Sequence, residues 1–208
     1  MLKGIIFDFD GVIVESVQVK SDAFAEIYKP YGNDIVVKVI KHHEANGGMS
    51  RFEKFKFYHK SFLKKNITNE KITEIANHFS ELVLEKVIAA PYVAGALEFI
   101  QKSYDQYKLF ISTGTPTEEM KKILAGRKIA NYFTDVFGSP AKKTVHVSNI
   151  LNNYNLDPNE LIFYGDSKTD LDAAKHANIS FVLIKNKYNQ TLSVSFRGKI
   201  INNFIGIL

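Results

Sequence analysis

Short apolar runs with no polar alternation recur along this chain, and they constrain the fold more than any other feature. The first is Gly4-Ile5-Ile6-Phe7-Asp8-Phe9; others are Leu109-Phe110-Ile111, Leu161-Ile162-Phe163-Tyr164 and Phe181-Val182-Leu183-Ile184, with Asp135-Val136-Phe137 a weaker fifth. A strand that is apolar on both sides is buried on both faces, as in a parallel sheet. Between the runs lie segments with helical spacing: Thr117 to Ala125, Val145 to Tyr154 and the alanine-rich Leu171 to Ala177. Strands alternating with helices predict an α/β fold whose parallel sheet carries helices on both faces.

From Val17 to Val87 the pattern changes. Apolar residues fall at helical spacing with no strand among them: Phe24, Ile27 and Tyr28; Val36, Val39 and Ile40; Phe52, Phe55 and Phe62; Ile72, Ile75, Phe79, Leu82 and Val83. This predicts four or five helices inserted after the first strand, with Pro91 and Gly95 marking the return. The expected division is a core of residues 1–15 and 89–208 around a helical insert of 16–88.

Several function classes are excluded at this level. Cysteine is absent from the 208 residues, which removes disulfide frameworks, zinc–thiolate sites and thiol catalysis and fits a reducing cytoplasm. No apolar stretch approaches the roughly 18 residues of a membrane span. The opening residues, broken by two aspartates, do not read as a secretion signal. The net charge of +5 forms no long basic stripe, so no nucleic-acid partner is expected; an anionic small molecule suits the balance.

Carboxylates collect at strand ends. Asp8-Phe9-Asp10-Gly11 follows the first run, and ligands of open α/β sheets bind at the carboxyl ends of strands. Two carboxylates two residues apart suit a hard cation with one of them attacking an electrophile, although an exposed Asp-Gly turn would read the same. Gly165-Asp166-Ser167-Lys168-Thr169-Asp170 adds two more acids at the same end of the sheet. A helix cap explains one of these, but acids gathered at two strand ends repel each other and favour a cation between them. Ser112-Thr113-Gly114-Thr115-Pro116 places hydroxyls and free N–H groups before a helix, suited to a phosphate or simply to capping. Lys142 and Lys143 open another helix, where a lysine either neutralises a phosphoryl group or sits in solvent.

In this order the four elements resemble the motifs of the haloacid dehalogenase superfamily of phosphotransferases, in particular its phosphoglycolate phosphatase and β-phosphoglucomutase-like members with a type-one helical cap. The resemblance covers nearly the whole chain and implies a Rossmann-like core with the insert as an α-helical cap domain. It implies Asp8 as the nucleophile that becomes an aspartyl phosphate, and Asp10 as the acid and then base. Magnesium would be held by Asp8, the backbone carbonyl of Asp10 and Asp166, with Asp170 supporting those ligands. Thr113 and Lys143 would hold the phosphoryl oxygens, with Ser112 and Lys142 as the neighbouring registers. Gly11 and Gly114 would allow close approach of substrate. A carboxylate at Asp10 points to phosphoryl transfer rather than carbon–halogen cleavage. Glu15-Ser16 departs from the Asp-Ser or Asp-Thr of many relatives.

Within the insert, Asn46-Gly47-Gly48-Met49-Ser50-Arg51 is the most suggestive stretch. Glycine lets backbone approach a ligand, and arginine offers a fork for phosphate. Similar Gly-x-Ser-Arg segments face the active site in sugar-phosphate relatives, which implies Gly48 and Arg51 as substrate contacts, and Lys20 stands where those relatives place a polar substrate-facing residue. The alternative is that Gly47-Gly48 ends one helix and Ser50 caps the next. Lys54 lies one turn beyond Arg51 and is the weaker candidate of the two for a substrate contact; Lys64 and Lys65 read as solvated charge, the aromatic series Phe52, Phe55, Phe57, Tyr58 and Phe62 as packing, and His42, His43 and His59 as packing or surface residues.

The expectation is therefore a magnesium-dependent phosphatase, cytoplasmic and monomeric or weakly dimeric, acting on a small phosphorylated metabolite through an aspartyl phosphate. The alternatives are a phosphosugar mutase with the same motifs and a binding module on the same fold.

Overall fold

Each of the five apolar runs becomes a strand, and the computed structural model, which describes residues 1–207, joins them with a sixth strand into one parallel sheet. These are β1 (Gly4–Phe7), β2 (Lys108–Pro116), β3 (Asp135–Ser139), β4 (Leu161–Gly165), β5 (Ser180–Ile184) and β6 (Lys199–Ile201), in the order β3-β2-β1-β4-β5-β6. β1 is central: Ile5 pairs with Leu109 on one side and Ile162 on the other. Its period of two sends Ile5 and Phe7 to one face and Ile6 to the other. Ile5 and Phe7 join Leu109, Ile111 and Val182 in one core, whereas Ile6 joins Phe110 and Phe163 in a second. Helices α7 (Lys143–Asn153) and α8 (Lys168–His176) cover the second face through Val147, Ile150, Ala173 and Ala174. Helices α5 (Ala96–Ser103) and α6 (Thr117–Gly126) cover the first through Phe99, Ile100, Met120 and Ile123.

Four helices follow β1: α1 (Val17–Tyr28), α2 (Asn33–Ala45), α3 (Arg51–Ser61) and α4 (Asn69–Ala89). Their shared interior is aromatic, with Phe24, Phe55, Tyr58 and Phe79 buried against one another. Phe57 alone of the expected packing series is exposed.

Three elements go beyond the sequence expectation. α5, the short α9 (Gln190–Ser195) and the edge strand β6 were not foreseen. β6 is three residues long and half in solvent, so it lacks the apolar run that marks a central strand. β1 also ends at Phe7, not Phe9. Asp8 still donates its N–H to the Tyr164 carbonyl of β4 at 2.9 Å, but the carbonyl of Phe9 accepts the N–H groups of Ile13 (2.9 Å) and Val14 (3.1 Å), which curls the chain into a tight loop just beyond it.

Candidate active site

Strands depart from β1 in both directions, β2 and β3 to one side and β4 to β6 to the other. Such a switch leaves a crevice at the carboxyl ends of the strands. Asp8 lies there, only 3% exposed. Its Oδ1 accepts the N–H of Phe9 at 2.7 Å and its Oδ2 lies 2.9 Å from Lys143 Nζ. Gly11 turns the loop at φ +78°, where a side chain would run against Asp166.

Asp166 follows β4, and Asp170 lies in the first turn of α8. Carboxylate oxygens of Asp8, Asp166 and Asp170 all fall within 4.8 Å of one another, and all three residues are buried. Burial, with Asp170 and Asp10 nearby, pushes the Asp8 carboxyl up to about 7 against the pull of Lys143. Asp166 is pushed well above the usual carboxylate range by burial, then by Asp8 and Asp170. Mutual repulsion in a dry site is what a divalent cation relieves, so Asp8 and Asp166 fit a hard metal with oxygen ligands.

Asp170 has other duties. Its Oδ1 accepts from Lys143 at 2.6 Å, while its Oδ2 accepts the hydroxyl of Ser167 at 2.6 Å and its N–H at 3.0 Å. The same carboxylate caps α8 and holds the lysine. Burial alone would lower the Lys143 pKa, but Asp170 and Asp8 more than reverse it, and the lysine stays charged. Lys142 stands outside in solvent.

Asp10 is not part of the acidic cluster. Ser16 donates to its Oδ1 at 2.6 Å, and Lys20 on α1 pairs with its Oδ2. Burial pushes Asp10 up, but Lys20 and Ser16 outweigh it and hold the carboxyl below its ordinary range. Lys20 also donates to Thr115 Oγ1 at 2.7 Å, tying α1 to β2. Of the two candidate hydroxyls, Ser112 is bonded to His146 Nδ1 at 3.0 Å, while Thr113 Oγ1 accepts the N–H of Thr115 at 3.2 Å.

The Gly47-Gly48 loop covers this centre. Gly48 has φ +75°, and a β-carbon there would strike Thr169 and come within 3.3 Å of Lys143 Cε. Gly114 abuts the Gly48 carbonyl from β2, and Thr169 donates to the Gly47 carbonyl at 3.2 Å. Ser50 caps α3 by accepting the Glu53 N–H at 3.3 Å. Arg51 is 5% exposed, and its guanidinium is engaged by Glu119 of α6, not open to a ligand. Below the loop lies a cleft of about 720 Å³, lined among others by Asp8, Asp10, Lys20, Gly48, Lys54 and Asp166.

Three participants escaped the sequence reading: Ser16, Asn186 and Asn189, which support the acids. Lys54, the weaker candidate beside Arg51, is buried against His43. Asn186 donates to Asp166 Oδ2 at 2.7 Å, and Asn189 donates to the Asp166 carbonyl at 2.8 Å. The asparagines follow β5, the neighbour of β4, and only that pairing brings them to Asp166. Lys54 had one signal: it shares a helical face with Arg51, Phe55 and Tyr58.

The chain is similar to known proteins in sequence and fold. Residues 5–184 match the family described as haloacid dehalogenase-like hydrolase. A phosphorylated carbohydrates phosphatase of Thermotoga maritima is 30% identical over 86% of this chain and 82% of its own length. A phosphoglycolate phosphatase of Pasteurella multocida is 25% identical over 91% and 88%. The crystal structure of a predicted phosphoglycolate phosphatase from Haemophilus somnus superposes with a TM-score of 0.78 at 20% identity, covering 99% of this chain and 96% of that one. Among the described residues no helix is long and apolar enough to cross a membrane.

Proposed function

Because the chain belongs to the haloacid dehalogenase-like hydrolases, we propose that it is a phosphatase of small phosphate monoesters, with residues 1–15 and 89–208 as the catalytic core and 16–88 as a cap. One observation carries the mechanism: Asp8 is clamped between a charged lysine and a second buried acid, while Asp10, two residues on, is oriented separately by Lys20 and Ser16. Two neighbouring carboxylates in different surroundings have different protonation behaviour, which is how one site supplies both a nucleophile and an acid–base.

Asp8 attacks phosphorus and the ester oxygen leaves with a proton from Asp10, giving an aspartyl phosphate and the free alcohol. Asp10 then takes a proton from the water that attacks the acyl phosphate, releasing inorganic phosphate and restoring Asp8. The incoming phosphoryl charge raises the Asp10 pKa and prepares it as the acid. Lys143, held by Asp170, and the polar end of β2 at Thr113 and Gly114 neutralise and position the phosphoryl oxygens. Asp8, Asp166 and the Asp10 carbonyl would hold magnesium, which when bound offsets the carboxylate and phosphoryl charge. The setting we propose is cytoplasmic.

The test is phosphate release from a panel of small phosphate esters, with and without magnesium, for wild type and Asp8→Asn. Magnesium-dependent release lost in the variant supports the reading. Isomerisation that depends on added sugar bisphosphate, without net phosphate release, would replace it with a mutase.

A further inference from the structure

Lys54 of α3 is 2% exposed, and none of the ion pairs among the described residues includes it. Its Nζ contacts only one residue, donating to His43 Nδ1 at 2.7 Å and to the His43 carbonyl at 3.3 Å, with the Phe24 ring 5.6 Å away. An ammonium has three donors, so one remains. With Nδ1 accepting, the neutral imidazole of His43 carries its proton on Nε2, and that buried atom has no partner. Both side chains line the cleft that holds Asp8 and Asp10.

A buried cation without a counter-charge is costly, and a neighbouring donor without an acceptor adds to the cost. Arg51 does not meet an anion here, because Glu119 already occupies its fork. Lys20 is likewise taken by Asp10. Among the described residues Lys41 also lines the cleft without an ion pair but is exposed to solvent, so Lys54 is the buried cation that the cap presents to the cleft without a counter-charge. We propose that Lys54 and His43 form a distal anion subsite, so that the preferred substrate is a small phosphate ester carrying a second anionic group, carboxylate or phosphoryl, away from the scissile phosphate. This rests on the phosphatase reading for the position of the first phosphate. Burial and Lys20, opposed by Asp10, hold Lys54 down to about 7, and an anion beside it would restore the full ammonium. The cleft volume suits a metabolite.

Binding and turnover test the subsite separately. Calorimetry with the full chain and magnesium compares ω-phosphonocarboxylates of increasing length, α,ω-bisphosphonates and neutral alkylphosphonates. Wild type is expected to favour at least one dianionic series over its neutral counterpart by about tenfold or more, and Lys54→Met to collapse that ratio. The series preferred tells carboxylate from phosphoryl. No preference in wild type, no binding of any phosphonate, or a preference that survives in Lys54→Met overturns the subsite. Phosphate release is then compared for matching acidic and neutral esters. Release from both at equal kcat/KM overturns the subsite and leaves the phosphatase; release from neither, with the phosphonate preference intact, overturns the phosphatase and leaves the subsite.

Discussion

The guanidinium of Arg51 on α3 grips the carboxylate of Glu119 on α6 through two parallel bonds, Nη2–Oε1 at 2.5 Å and Nη1–Oε2 at 2.8 Å. Ser80 of α4 and the face of Phe79 complete the pocket, so three helices meet at one buried pair. In this structure the Arg51 fork rivets the helical insert to a helix that covers the sheet.

Removing one partner of a buried pair leaves the other uncompensated. Glu119→Ala is expected to lower the unfolding free energy by about 3 kcal/mol in urea denaturation, with Arg51→Met/Glu119→Leu recovering much of the loss. Burial pushes Glu119 up, but Arg51 and Ser80 hold it below its ordinary 4.5. A carboxyl lowered on folding stabilises above its unfolded value and loses that contribution as the pH falls through its folded value. The deficit of Glu119→Ala should therefore shrink below pH 4.5. Strictly additive single losses in the double variant would deny the coupling.

Lys54 gives the opposite sign. Its folded value of about 7 lies below the ordinary 10.5, so between those values the unfolded chain binds more protons and stability rises with pH, by at most about 1.4 kcal/mol per unit. Lys54→Met should be more stable than wild type, most at pH 6 and less toward pH 10. His43, Lys20 and Asp10 face the same point and are common to both proteins. A stability difference that is flat with pH would show that Lys54 is not desolvated.

Magnesium should raise the melting temperature of wild type. At a hundredfold excess over its Kd a ligand adds about 2.7 kcal/mol, or roughly 5–10 °C for a chain of this size. Asp166→Asn should lose most of that shift, whereas Glu118→Gln, at an exposed position of α6, should keep it. An equal shift in both variants would place the cation elsewhere.

Gly48→Ala should cut kcat/KM by about tenfold or more, because its β-carbon falls on Thr169 and beside Lys143 and its φ of +75° disfavours any side chain. The melting temperature should drop by only about 2–4 °C, since the cost is local. Unchanged kinetics would mean that the loop does not close over Lys143 during turnover.

The strands that build the site were legible because burial on both faces demands unbroken apolar runs, and Asp8, Asp10, Asp166 and Asp170 stand out as charges beside them. A single acid can serve two ends: Asp170 is a helix cap and a partner of Lys143 at once. The pairing of Lys54 with His43 is not legible in the sequence, because a lysine's default is solvent and only the meeting of α2 with α3 removes it.

What the sequence by itself determined was therefore the parallel α/β sheet, the helical insert and the carboxylates at the strand ends, since these follow from local periodicity and from chain order. The tertiary structure alone decided which cations are spent and which are free. Arg51 finds Glu119 across 68 positions and Lys20 finds Asp10 and Thr115, while Lys54 finds no acid. Charge pairing acts over a few ångströms in a low-dielectric interior, and that distance is set by how the helices pack, not by the spacing of residues along the chain.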